Sequence, residues 1–197
     1  MHPSKLADMI SSRICHDLIS PVGAISNGVE LMGDLNGPSP ELDLINQSAD
    51  TAKAKLMFFR VAFGASSYDS MLGCNATINS ARDMFAIGRI SVDFPEPWGD
   101  RSRSLVKLLY LLLLCVESSL PRGGEIVCMP TDSGWQITVA DTKIDAPTEL
   151  WESLLNSAPF GDLPASQIQF QLARDAAERI DIKLTAAFSE NHLTLIF

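Results

Sequence analysis

Leu105-Val106-Lys107-Leu108-Leu109-Tyr110-Leu111-Leu112-Leu113-Leu114-Cys115-Val116 is followed at once by Glu117-Ser118-Ser119-Leu120-Pro121-Arg122-Gly123-Gly124-Glu125-Ile126. The apolar run is 12 residues long and carries Lys107. A membrane span needs roughly 20 apolar residues. The run therefore reads as a helix buried on every side, over Ser102 to Ser119, closed by Pro121, Gly123 and Gly124. Directly after it, Ile126 to Met129 and Trp135 to Ala140 read as a strand pair around the turn Asp132-Ser133-Gly134. A fully apolar helix feeding a hairpin needs a sheet to lie on, so the fold class is α+β, with helices on one face of a mixed sheet.

Outward from this stretch the same alternation continues. Pro147 to Ser157 and Pro164 to Ile180 read as helices, and Ile182 to Ala187 with Leu193 to Phe197 as a closing hairpin. Upstream, Ala76 to Ile87 reads as a helix and Ile90 to Phe94 as a strand stopped by Pro95 and Pro97. The stretch Ala65 to Asn75 (ASSYDSMLGCN) is small and polar, the composition of a linker or of the start of a second domain.

The N-terminal third differs in period. Leu6, Ile10, Ile14, Leu18, Val22, Ile25, Val29 and Met32 recur by fours and threes from Ser4 to Met32, and Leu42, Ile45, Ala49, Ala52, Leu56, Phe59 and Phe63 do so from Glu41 to Gly64. Between them Gly33 to Pro40 (GDLNGPSP) is made of turn formers. Two helices, each about 40 Å long, form an antiparallel hairpin. Met57, Phe58 and Val61 add apolar surface that a lone hairpin leaves partly exposed. A second copy completing a four-helix bundle would cover them, as would the C-terminal domain folding back.

Composition sets the outer limits. With 15 Lys and Arg against 24 Asp and Glu the formal charge is −9, which opposes broad binding to a polyanion, so no nucleic-acid partner is expected. The 46% apolar content is that of a folded globular chain. Cys15, Cys74, Cys115 and Cys128 form no Cys-x-x-Cys pair, and the first residues, with Lys5 and Asp8 among short apolar runs, lack a signal-peptide core. A cytoplasmic protein with no membrane partner is expected. His2, His16 and His192 are too far apart in sequence for a local metal clamp, so no metal is expected.

Chemistry concentrates at Cys15-His16-Asp17-Leu18-Ile19-Ser20-Pro21. At about 100° per residue His16 lies roughly opposite Ile14 and Leu18 and faces water. Ser12, Arg13, Ile19 and Ser20 are its neighbours on that face. An accessible imidazole can act as a nucleophile through one ring nitrogen while the adjacent Asp17 orients the proton on the other. Pro21 lacks the N–H that would bond the Asp17 carbonyl, so a bend one turn after the histidine is expected.

The string HDLISP resembles the H-box of two-component histidine kinases, and the second half of the chain resembles their ATP-binding domain with each signature damaged. Where that family has an Asn-x-x-x-Asn helix running into Pro-x-Gly-Gly-x-Ile, Leu111 to Ile126 keeps the frame and lacks both asparagines. The Asp-x-Gly-x-Gly box resembles Asp141-Thr142-Lys143-Ile144-Asp145, with Lys143 and Asp145 in place of the glycines. Pro164 to Leu172 (PASQIQFQL), where the glycine-rich phosphate turn belongs, contains no glycine. Apolar side chains cannot hold magnesium, and a turn without glycine brings no backbone donors onto phosphates, so no bound cofactor is expected. On this reading Asp141 is a surface or structural acid, and Gly123-Gly124 a turn leading into a strand.

In combination these features resemble the ChpT-type histidine phosphotransferases over the full length. That resemblance implies residues 1–66 as a helical hairpin forming a dimeric four-helix bundle, and residues 67–197 as a degenerate ATPase-like (Bergerat-type) α/β sandwich. It implies a phosphoryl group taken from the receiver domain of a CckA-like hybrid kinase and passed to CtrA-like and CpdR-like response regulators, with magnesium supplied by the receiver. His16 would be the phosphoacceptor and Asp17 its orienting acid and base. Ser12, Arg13, Ile19 and Ser20 would form the receiver-docking ring. An autophosphorylating kinase with a divergent nucleotide site and a non-catalytic scaffold are the competing readings.

Overall fold

A computed structural model of the chain describes residues 3–31, 40–64, 70–86 and 88–197. Two long helices come first, α1 (Pro3–Leu31) and α2 (Pro40–Ala62). Lys55 meets the carbonyl of Asp17, and Ile45 lies against Gly28, so the two run antiparallel. A Cβ on Gly28 would stand 2.5 Å from Ile45 Cγ1, so glycine is what lets the helices approach there. The predicted turn at Gly33–Pro40 lies, Pro40 apart, outside the described residues, as do the expected boundary at 66–67 and Ile87.

The second half is α+β as predicted. Its elements are β1 (Met71–Leu72), α3 (Cys74–Phe85), β2 (Ile90–Asp93), β3 (Arg101–Ser102), α4 (Arg103–Glu117), β4 (Gly124–Pro130), β5 (Trp135–Ala140), α5 (Thr148–Asn156), a 3-10 turn at Ala165–Gln167, α6 (Ile168–Arg179), β6 (Thr185–Phe188) and β7 (His192–Ile196). The short antiparallel pair β1 and β3 has no counterpart in the sequence reading. The main sheet runs β2-β4-β5-β7-β6, with β2 parallel to β4 and the other pairs antiparallel. Gly124 opens β4 opposite Ile90, and Gly123, at φ 82°, would press a Cβ into the Arg89 carbonyl, so the glycine pair serves the turn into the strand.

Helix α4 is buried from Ser104 to Val116, with Lys107 alone half-buried, because α6 and α2 pack along it, Tyr110 reaches Thr77 of α3 and the inner sheet face shares its core. Ser102 caps its start by accepting from the Leu105 amide at 3.2 Å. Lys107, the one charge in the run, donates to the Gly64 carbonyl at 2.7 Å just beyond α2, and Arg103 donates to the Arg60 carbonyl at 3.0 Å. Burial, then the positive charges of Arg179 and Arg103, lower the Lys107 pKa. The inner sheet face alternates as a half-covered sheet must, with Ile126, Cys128, Ile137, Val139, Leu193 and Leu195 buried.

The predicted hairpin seams hold in part, since Leu6, Ile10 and Ile14 of α1 and Phe59 and Phe63 of α2 pack against the core. Within the chain α1 buries Met9, Pro21 and Gly28, while Val22 and Val29 stay exposed. On α2, Phe58, Phe59, Val61 and Ala62 are buried, while Leu42, Ala49 and Leu56 are exposed. Phe58 and Val61, which either a second copy or the C-terminal domain could cover, are buried within the chain. Phe58 stacks on Tyr110 at 4.2 Å and 7°, with Phe85 edge-on at 6.0 Å. Of that trio only Met57 remains open.

Candidate functional site

His16 stands on the middle of α1 with its side chain 83% exposed, and its Nδ1 lies 3.1 Å from Asp17 Oδ1. Asp17 is turned the other way, 14% exposed, beneath the helix surface. The helical step between neighbours produces this division, since adjacent side chains diverge by about 100° and only a bent contact spans them. A carboxylate facing Nδ1 favours the tautomer with the proton on Nδ1, leaving the Nε2 lone pair toward solvent. The arrangement is that of an oriented nucleophile.

Ser12, Ile19 and Ser20 are exposed on the same side, Ile19 at 73%. Arg13 departs from the predicted ring. Its side chain is only 15% exposed; Nε donates to Asp17 Oδ2 at 2.7 Å and Nη1 donates to the Ser166 carbonyl. It is drawn inward because its partners, a carboxylate and a free carbonyl, lie between the hairpin and the C-terminal half. The spacing Arg13 to Asp17 is i,i+4, so this ion pair was readable from the sequence.

Pro21 does not end α1, which continues through it to Leu31. The Asp17 carbonyl deprived of its usual donor accepts instead from Lys55 Nζ at 2.9 Å. Lys55 escaped the sequence reading, which counted α2 by its apolar positions. So did Glu117, the acid ending α4. Arg13, Asp17, Lys55, Arg89 and Glu117 all line a cavity of about 270 Å³ under the dyad. Burial pushes the Glu117 carboxyl up, with smaller opposing effects of Arg13 and Lys55 and a reinforcing one from Asp17.

The residues in the kinase-like frame sit elsewhere. Leu111 and Cys115 are fully buried in α4, and burial pushes the Cys115 thiol well up. Asp141 is exposed at a left-handed position, φ 58°, at the end of β5. Ser119, one turn beyond Cys115, accepts from Trp151 Nε1 at 2.9 Å, and Trp151 packs edge-on against Phe170 at 5.4 Å. Among the described residues no cluster of three or more His, Cys, Asp or Glu has the geometry of a metal site, and no helix is long and apolar enough to cross a membrane.

Comparison with known proteins bears on the whole chain. The family described as histidine phosphotransferase C-terminal domain matches residues 75–192. Protein phosphotransferase ChpT of Brucella abortus (strain 2308) is 34% identical over 195 residues, covering 92% of this chain and 91% of that protein. A bacterial phosphotransferase solved at 1.7 Å superposes with a TM-score of 0.80 and 27% identity, covering 99% of this chain and 96% of that one. A sequence likeness that spans both the hairpin and the sheet domain, joined to a likeness of fold at the same extent, makes this chain a member of the histidine phosphotransferase family that includes ChpT.

Proposed function

We propose that the chain relays a phosphoryl group through His16 between receiver domains, from a hybrid kinase to response regulators, in the cytoplasm and without binding ATP. The observation that carries this is the exposed His16 imidazole with Asp17 behind its Nδ1. Nε2 would attack the phosphorus of a receiver's phospho-aspartate in line. The N–P bond forms as the P–O bond to the receiver's carboxylate breaks, and that carboxylate leaves with the electron pair. Asp17 holds the Nδ1 proton and offsets positive charge on the ring. The receiver's own magnesium would neutralise the phosphoryl oxygens.

Two further features support the reading. Buried Leu111 and Cys115 offer no hard oxygen ligands, and the turn before α6 is built without glycine, so the donor set suits no nucleotide with magnesium. On the hairpin, Val22 and Val29 of α1 and Leu42, Ala49 and Leu56 of α2 are exposed at seven-residue intervals, a seam suited to a second hairpin in a four-helix homodimer.

The direct test is incubation with a pre-phosphorylated receiver. An acid-labile phosphate is expected on this chain and absent from His16→Ala. Transfer that persists in His16→Ala would refute the assignment. Saturable micromolar binding of ATP with magnesium would favour an autokinase instead.

A further inference from the structure

The hydrogen bonds behind His16 run out of the hairpin. Asp17 presents Oδ1 to the imidazole at 3.1 Å and gives Oδ2 to Arg13 Nε at 2.7 Å. The same guanidinium uses Nη1 on the backbone carbonyl of Ser166, in the 3-10 turn before α6. Because a guanidinium is planar and rigid, fixing Nη1 on one acceptor fixes the direction of Nε toward the other. The plane of the Asp17 carboxylate thus depends on where the turn at Ala165–Gln167 sits. That turn lies in the glycine-free stretch Pro164 to Leu172.

We propose that Arg13 is a positioning residue for phosphotransfer, anchored by the Ser166 carbonyl, so that the C-terminal domain sets the orientation of His16 through Arg13 and Asp17. The proposal rests on His16 being the phosphoacceptor. Nucleophilic attack by Nε2 requires the proton on Nδ1, and that tautomer is favoured only while an acceptor is held beside Nδ1. Asp17 has no other side-chain partner at hydrogen-bond distance among the described contacts, and Lys55 reaches its backbone carbonyl instead. The charged groups around Asp17 are Arg13 and His16 on α1, Lys55 on α2 and Glu117 on α4, with Arg89 lining the same cavity. Among the described residues only Arg13 links the carboxylate to the C-terminal half by hydrogen bonds. A second link along α1, Lys5 with Asp162, is exposed on both sides and screened by solvent, so it does not replace Arg13.

Two variants act on opposite ends of this chain of contacts. Arg13→Met removes the guanidinium. Gln167→Pro removes the amide that bonds the Pro164 carbonyl at 2.9 Å and forces Ser166 toward extended backbone, displacing its carbonyl without touching α1. In the full-length protein, 15N NMR of the His16 ring, identified by difference against His16→Ala, reads the tautomer. Both variants are expected to shift it from Nδ1–H toward Nε2–H. An imidazole held in the wrong tautomer is a poor catalyst, so a fall of about tenfold or more is expected in the rate at saturating phospho-receiver, with the half-saturating concentration changed less than twofold. Arg13→Lys, which keeps the charge but cannot span both acceptors, should fall between.

Parental ring shifts and saturating rates in Arg13→Met and Arg13→Lys, with parental melting, would overturn the proposal. So would an effect confined to the half-saturating concentration, which would make Arg13 a docking residue. Shifts in the Arg13 variants with none in a folded Gln167→Pro would overturn the part played by the C-terminal turn. If the parent accepts no phosphate while the ring shifts move as expected, the function proposed for His16 fails and the positioning contact stands.

Discussion

Phe58→Ala removes a ring that is fully buried between Tyr110, Phe85 and Phe59, the stack on Tyr110 being 4.2 Å between centroids and the edge contacts 6.0 and 6.2 Å. The lost transfer free energy is about 2 kcal/mol for a fully buried aromatic side chain. A cavity of about 100 Å³ at ~24 cal/mol per Å³ adds up to about 2 kcal/mol if the walls stay in place. They are held, since the Tyr110 hydroxyl donates to the Thr77 carbonyl at 2.9 Å and cannot follow the missing ring. A loss of about 4 kcal/mol is therefore expected, which for a chain of this length lowers the melting temperature by about 12 °C. Because the contacts are within one chain, the loss should be the same at low and high protein concentration. Calorimetry of parent and variant at two concentrations tests it. A loss under about 1 kcal/mol, or one that grows on dilution, would refute the reasoning and return Phe58 to an intermolecular seam.

Val22→Asp or Leu56→Asp, on the exposed seam, should convert a dimer to a monomer of 21.4 kDa with helicity retained, read by light scattering; a parental mass would count against the bundle. Ile19→Lys, at a side chain 73% exposed, should change stability by less than about 0.5 kcal/mol yet slow phosphate uptake from a receiver. An unchanged uptake rate would move receiver docking to another face. For Glu117 the folded carboxyl is raised above its ordinary 4.5, so the native state holds its proton longer than the unfolded chain. Its contribution to stability is complete below that ordinary value and is lost as pH rises through the raised one. Glu117→Gln should therefore gain stability relative to the parent as pH climbs from 4.5, and parallel denaturation curves across that range would contradict the sign.

A helical hairpin followed by an α+β half, the order of its helices and main-sheet strands, and an exposed histidine beside an acid were legible in the sequence, because each rests on local rules. The apolar run of α4 had to be wrapped by other elements. The pairing of β4 with β5 followed from alternation and a turn, and His16 had to point away from Ile14 and Leu18 at helical spacing. Pro21 was rightly read as depriving Asp17 of a donor; that Lys55 would replace it was not readable, since the two meet only across the hairpin.

Periodicity also named the apolar positions of α1 and α2 without saying which neighbour each would meet. A stripe of Leu, Val and Phe has the same pattern whether it packs on the hairpin, on its own sheet domain or on a second chain. Tertiary structure alone decided that Phe58 faces α3 and α4 and that Val61 is buried while Val22 and Leu56 stay open. It alone drew Arg13 off the surface, because a backbone carbonyl at Ser166 carries no residue signature in the sequence. Local spacing fixes the direction in which a side chain leaves its helix; what it meets there is set by elements distant in sequence, through the packing of the whole chain.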